Sequence, residues 1–198
     1  MIIHRLKSPL LSLAIVAGLG SGCMSPKPDP TRHFTLSATA KKAASTTDLK
    51  LLVREVEIPE YLNRSSLVIR KSATEVVVSE YDRWAEPLES GITRVLATNL
   101  SALLGSPTVY GSPQFEANAD YRVLVTIRAF EPTGDRILLS ASWRVLNRED
   151  RELAAGIGDY PRAISAGSTE QSISGMSSAL AELAAEIAAG VVKRAQTF

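Results

Sequence analysis

Two neighbouring segments carry the clearest alternation of apolar and polar positions. In 121–130 (YRVLVTIRAF), Val123, Val125, Ile127 and Ala129 alternate with Leu124, Thr126, Arg128 and Phe130. In 136–147 (RILLSASWRVLN), Ile137, Leu139, Ala141, Trp143 and Val145 share one parity. A period of two residues is that of a strand with one buried face. The intervening EPTGD (131–135) predicts a turn, so the pair reads as a β-hairpin. NREDR (147–151) turns again, 152–155 extends the sheet, and 156–168 reads as irregular.

Two other segments change period. From Glu86 to Leu104, the residues Leu88, Ile92, Val95, Leu96, Leu100, Leu103 and Leu104 recur at helical spacing, and Gly105 and Pro107 stop the helix. Pro87 suits the first turn, and Glu86 and Glu89 suit its electropositive end. From Thr169 to Arg194, Ile173, Met176, Leu180, Leu183, Ile187 and Val191 form a second stripe. Six alanines between 179 and 189 favour close packing, and Gly175 weakens the helix locally.

The first half predicts shorter strands at 32–37, 49–58, 67–71 and 75–81, the last two paired as a hairpin through Ser72–Thr74. A second short strand candidate lies at 108–110, and 59–66 is a structured crossing. Residues 38–48 are small and polar and read as a mobile loop. Strands, helix, strands, helix is the order of an α+β sandwich. A mostly antiparallel sheet carries two main helices on one face, in a single domain over 32–195.

The N-terminus follows another logic. Arg5 and Lys7 precede an apolar run (10–19), then come Gly20, Ser21, Gly22 and Cys23, the chain's single cysteine. The run is too short for a transmembrane helix, which takes roughly 20 apolar residues. The order is that of a secretory signal over 1–22, and it resembles a bacterial lipoprotein signal with Cys23 as the lipidated residue. An acylated Cys23 explains an odd cysteine in an exported chain. Met24, rather than Asp, follows it, which in the familiar sorting pattern favours the outer membrane. Pro26, Pro28 and Pro30 make 23–31 an extended tether.

Charge narrows the function. The chain has 22 basic and 21 acidic residues, and two of the basic ones lie in the signal. A near-neutral domain with scattered charges has no electrostatic footprint for nucleic acid. With one cysteine and two histidines, a Cys/His zinc site is excluded. No nucleophile elbow, P-loop, dinucleotide fingerprint or HExxH motif is present. Glu80, Asp82 and Glu86 could supply a carboxylate pair, but nothing positive points to one and a solvated acidic rim is the better account of them. The chain reads as non-enzymatic and needs no cofactor.

The most unusual local composition is YDRWAEP (81–87). Aromatics and arginine dominate interface energetics, so it could be a contact site; the favoured reading is that Trp84 plugs the junction of sheet and helix. With IPEYLNRSSLVIR (58–70), YDRWAEPLESGITRVLATNL (81–100) and RHFTLS (32–37), the chain resembles the ABC-type transport auxiliary lipoprotein component family. That resemblance implies an accessory part of a system moving lipids or other hydrophobic molecules between membranes. It implies a periplasmic MCE-domain protein, with its ABC permease and ATPase or membrane subunit, as partners, a lipid anchor in the outer membrane, and compatibility with a homo-oligomer. The positions it singles out are Cys23 for anchoring, Tyr61, Leu62, Asn63 and Arg64 in the turn, and Arg83, Trp84, Ala85, Glu86, Pro87 and Leu88 at the helix start. Each is either partner-binding or fold-maintaining. The alternatives are an envelope lipoprotein that itself binds lipid, which needs an apolar cavity, or one that scaffolds outer-membrane assembly.

Overall fold

The computed structural model describes residues 28–111, 118–164 and 167–195. The signal segment, Cys23 and most of the tether lie outside them. The elements in chain order are β1 (Arg32–Phe34), β2 (Leu51–Val53), a 3-10 turn (Glu60–Leu62), β3 (Ser66–Arg70), β4 (Val76–Trp84), α1 (Leu88–Leu104), β5 (Val109–Tyr110), β6 (Tyr121–Thr133), β7 (Arg136–Asn147), β8 (Glu152–Asp159), β9 (Arg162–Ala163) and α2 (Thr169–Ala195).

They form one mixed sheet with two main helices. The antiparallel ladder β6–β7–β8 is its centre, and β3 and β4 form the second hairpin. β2 and β3 run one after the other along the free edge of β6, both parallel to it. β1 pairs in parallel with β4, and β5 with β2. The long ladders are antiparallel, so the sheet is mostly antiparallel as expected, and the parallel contacts are confined to its short strands.

The core is continuous across both helices and the sheet. Ile92, Val95, Leu96 and Leu100 of α1 and Met176, Leu180, Leu183 and Ile187 of α2 are fully buried against Val123, Val125, Ile137 and Leu139. α2 is long and apolar enough to cross a membrane by composition. Its apolar stripe is spent inside this core instead, as expected of the core helix of a folded domain.

Several expectations need correction. The strand expected at 49–58 ends at Val53. The Val56 amide donates to Thr93 Oγ1 of α1 at 3.1 Å, which draws the backbone off the ladder; a lone bridge, Glu57 to Thr126, follows. The strand expected at 32–37 ends at Phe34, although Leu36 is buried beyond it. Phe130 was expected opposite Val123, Val125 and Ile127. A β-bulge between Ile127 and Ala129 inserts Arg128 as an extra residue, shifts the parity and turns Phe130 into the core. The β6–β7 turn is only Gly134–Asp135, with Gly134 at φ +60°, so Glu131 and Pro132 belong to β6.

The segment read as irregular from 156 contains the second half of β8 and then β9. Glycine hides the strand. A Cβ on Gly156 would lie 2.7 Å from the Trp143 indole, and one on Gly158 would lie 2.9 Å from Tyr160 Oη. Gly175 also has a packing role, since a Cβ there would meet Ile164 Cγ2 at 2.5 Å. The loop expected to be mobile at 38–48 is pinned to α1. Thr39 and Ala40 amides donate to Asn99 Oδ1, Ala43 N–H to Ala102 O at 2.8 Å, and Thr47 N–H to Gly105 O at 3.2 Å.

A polar trough on the open sheet face and a buried carboxylate behind it

The helices cover one face of the sheet, and the other bears a shallow trough of about 1280 Å³. Its floor is made by Leu124, Thr126, Ser142 and Arg144, which alternate with the buried residues of β6 and β7. One bank is the diverted segment 54–58, and the other is β8 with Glu152, Ala155 and Ile157. Glu89, in the first turn of α1, closes one side. The trough therefore borders both segments singled out in the sequence, 58–70 and 81–100.

Cross-strand polar pairs hold this face in shape. Arg144 Nε lies 2.7 Å from Glu152 Oε2, Thr126 Oγ1 donates to Glu57 Oε2 at 3.0 Å, and Arg128 donates to Ser140 Oγ at 2.9 Å. Within this polar setting Ile157 is 72% exposed. β8 pairs only with β7, so its outer edge carries no strand among the described residues.

Tyr61 anchors the turn segment. Glu131 is completely buried, and its carboxylate is satisfied from three sides. Arg70 Nε donates to Oε1 at 2.5 Å, Tyr61 Oη donates to Oε2 at 3.0 Å, and the Phe130 amide donates to Oε2 at 2.7 Å. Burial, with Glu131 beside it, raises the Tyr61 hydroxyl above its ordinary range; Glu131 likewise holds the Arg70 guanidinium more firmly protonated. This cluster ties the 3-10 turn, β3 and β6 together. Sequence reading missed Glu131 because it was placed in a turn. Its signal was a lone carboxylate between Phe130 and Pro132 at the end of an apolar strand.

The other sequence-derived positions divide by burial. Leu62, Trp84 and Leu88 are core residues. Asn63, Arg64 and Pro87 are exposed. Arg83 is half-buried and donates to Ser65 Oγ at 3.3 Å. Glu86 pairs with Arg94, which also donates to the Leu36 carbonyl at 3.0 Å and so fixes the chain after β1 to α1. Glu86 therefore serves an ion pair, while Glu89 occupies the helix's first turn. Cys23 lies outside the described residues. Of Glu80, Asp82 and Glu86, Asp82 is bound to Arg32 and Thr169 and Glu86 to Arg94, so these carboxylates serve structural pairs. Among the described residues no His, Cys, Asp or Glu group has the make-up of a metal site.

Nothing in this arrangement assembles a nucleophile, base and oxyanion donor. What it offers is a sheet face held by cross-strand pairs, a strand edge with no partner among the described residues, and an exposed apolar side chain.

The profile of the ABC-type transport auxiliary lipoprotein component family matches residues 34–188, nearly all of the folded body. The intermembrane transport lipoproteins PqiC of Escherichia coli (strain K12) and Shigella flexneri are each 28% identical over 110 residues, covering 55% of this chain. The chain matches 57% of the length of those curated relatives. A crystal structure from Xanthomonas campestris superposes with a TM-score of 0.71 at 14% identity, covering 84% of this chain and 98% of that one. A second crystal structure gives 0.64 at 21% identity, covering 77% and 99%. These two likenesses bear on the fold alone. The profile and the relatives support a lipid-anchored position at the outer membrane facing the periplasm. The chain belongs to the ABC-type transport auxiliary lipoprotein component family.

Proposed function

We propose that this protein docks a periplasmic MCE-domain protein, and through it an ABC permease and ATPase or membrane subunit, to the outer membrane. The observation that carries the reading is the family match across 34–188, together with relatives named for intermembrane transport. The lipid on Cys23 holds the domain at the membrane, and the tether confines its search to a small volume. That confinement raises the effective concentration at an already assembled partner without any new contact.

The trough supplies a docking face. Its paired side chains are held before binding, so little ordering entropy is lost when a partner arrives. Ile157 offers an apolar anchor, and the free edge of β8 offers backbone groups to an added strand. Exposed Asn63 and Arg64 contribute from the turn, and Arg83, Glu86 and Pro87 from the helix start, while Leu62, Trp84 and Leu88 maintain the fold.

A lipid carrier would need an apolar interior cavity. The trough on the sheet face is instead open and charged, with Arg54, Glu55, Glu57 and Arg144 along it. That favours docking over carriage.

Purification of the full chain from its own envelopes in mild detergent, with mass spectrometry of what accompanies it, tests the proposal. The expected result is an MCE-domain protein with its membrane subunits. Recovery of outer-membrane assembly factors instead, or of bound lipid with no protein partner, would overturn it.

A further inference from the structure

Among the described residues six large apolar side chains are exposed, and four of them lie on one strand: Val76 (36%), Val77 (39%), Val78 (42%) and Tyr81 (45%) of β4. Consecutive residues of a strand point to opposite faces. Exposure of all three valines therefore means that this end of β4 projects beyond the layers, bare on both sides. Among the described residues its outer edge carries no strand either, because β1 pairs only with Asp82, Arg83 and Trp84.

The hairpin is also stiff. Arg70, fixed by Glu131, donates from Nη1 to the carbonyl of Ala73 at 3.3 Å in the β3–β4 turn. Within that turn Lys71 N–H donates to Glu75 O at 2.9 Å, and Ser72 Oγ accepts from the Glu75 amide at 3.1 Å.

The path of the chain says what faces this projection. β1 is parallel to β4 with Arg32 beside Asp82, so the residues preceding Arg32 lie at the end of β4 that carries Val76–Tyr81. Cys23 lies nine residues before Arg32 along the chain. Fully extended that stretch reaches about 30 Å. The valines begin six residues back along β4 from Asp82, about 20 Å at strand rise. The anchor's root and the apolar projection thus lie on the same side of the domain, and the tether is long enough to let the projection touch the membrane that holds Cys23.

We infer that the β3–β4 hairpin is a second membrane contact, lying in the headgroup layer of the outer membrane beside the lipid anchor. This rests on the anchored placement proposed above. A partner protein or a second copy would pack against one face or the edge of the strand. A lipid surface accepts an apolar projection on both faces. The unpaired edge sets the depth, because bare N–H and C=O groups are costly in hydrocarbon but are satisfied among headgroups and water. Tyr81 suits the same level, where aromatic rings with a polar tip collect. The consequence is an orientation: two contacts fix the domain's tilt, and the β8 edge lies at the opposite end of the strand order, away from the bilayer.

The test uses the full acylated chain in vesicles of phosphatidylethanolamine with a minor fraction of phosphatidylglycerol. Acylation occupies Cys23, so a single introduced cysteine is labelled uniquely with an environment-sensitive fluorophore. Val77→Cys is compared with Ile157→Cys on β8 and Val192→Cys near the end of α2, all exposed positions. The expected result is a blue-shifted emission at 77 that is quenched by nitroxide-bearing lipids, with neither effect at 157 or 192. Equal quenching by aqueous iodide at all three positions would overturn the inference. Protection from iodide at 77 without quenching by lipid nitroxide would overturn it too, and would assign the edge to a protein or a second copy. The mass of the purified chain separates the two layers of the argument. A chain without acyl mass that fails to bind vesicles removes the anchor and this inference together, whereas an acylated, vesicle-bound chain with a solvated Val77 probe removes this inference alone.

Discussion

Glu131 is the residue on which the β3–β4 hairpin, the 3-10 turn and β6 converge. A fully buried carboxylate is tolerated only when paired and hydrogen-bonded, and Arg70, Tyr61 and the Phe130 amide meet that demand. Their removal should therefore be graded. Arg70→Ala leaves the buried charge short of its cation and should cost roughly 3–5 kcal/mol of unfolding free energy. Tyr61→Phe removes one hydrogen bond and should cost about 1 kcal/mol. Urea titration of the two variants checks the order; equal losses would contradict the assignment. Tyr160 predicts an alkaline limit. Burial first, and then Glu186 accepting its hydroxyl at 2.9 Å, raises its pKa well above the ordinary 10.0. The folded state thus prefers the neutral phenol, a preference that stabilises fully below pH 10 and is lost as pH climbs towards the folded value. Thermal melts of the parent should fall above about pH 10, and Tyr160→Phe should fall less steeply. Residue-level chemistry was the least legible part of the sequence. Glu131 and Glu186 gain their meaning from strands and helices that meet only after folding.

At the scale of elements, periodicity was legible wherever a long segment buries one face. The β6–β7 hairpin, α1 and α2 appear close to where their apolar spacing places them. It failed where another contact overrode the local pattern. Thr93 diverts the strand at Val56, the bulge at Arg128 flips Phe130, and the glycines of β8 erase its alternation. These glycines are tight contacts seen from the other side, and so is Gly175 within α2. Gly175→Ala gains about 1 kcal/mol in helix propensity, but its Cβ would stand 2.5 Å from Ile164 and 2.9 Å from Ile137, which is fully buried. Overpacking of that kind costs about 1–3 kcal/mol. The variant should therefore melt at or below the parent temperature; a clear rise would show that the α2–β9 contact is loose. Of the two sequence segments, the turn and the helix start, the sequence alone left packing and contact roles open. Burial divides them residue by residue, with Leu62, Trp84 and Leu88 inside and Asn63, Arg64 and Pro87 outside.

In the proposed arrangement the whole molecule combines a lipid-bearing N-terminus with a folded body whose distinctive surfaces lie at opposite ends of the strand order. The β3–β4 projection sits near the root of the tether, and the trough and β8 edge face away. The anchor and tether are read from composition and the position of one cysteine, and the anchor and most of the tether lie outside the described residues. The trough was not legible in the sequence, because its floor reads as the ordinary polar face of a half-buried sheet. The central claim is that this protein docks an MCE-domain partner. The most direct measurement places a photoreactive residue in intact envelopes at Ile157 or Arg64, with Val192 as the comparison, and identifies the crosslinked protein by mass spectrometry. The account predicts an MCE-domain protein crosslinked through 157 or 64 and absent at 192; crosslinks to outer-membrane assembly factors, or none at 157 and 64 in a correctly anchored chain, would contradict it.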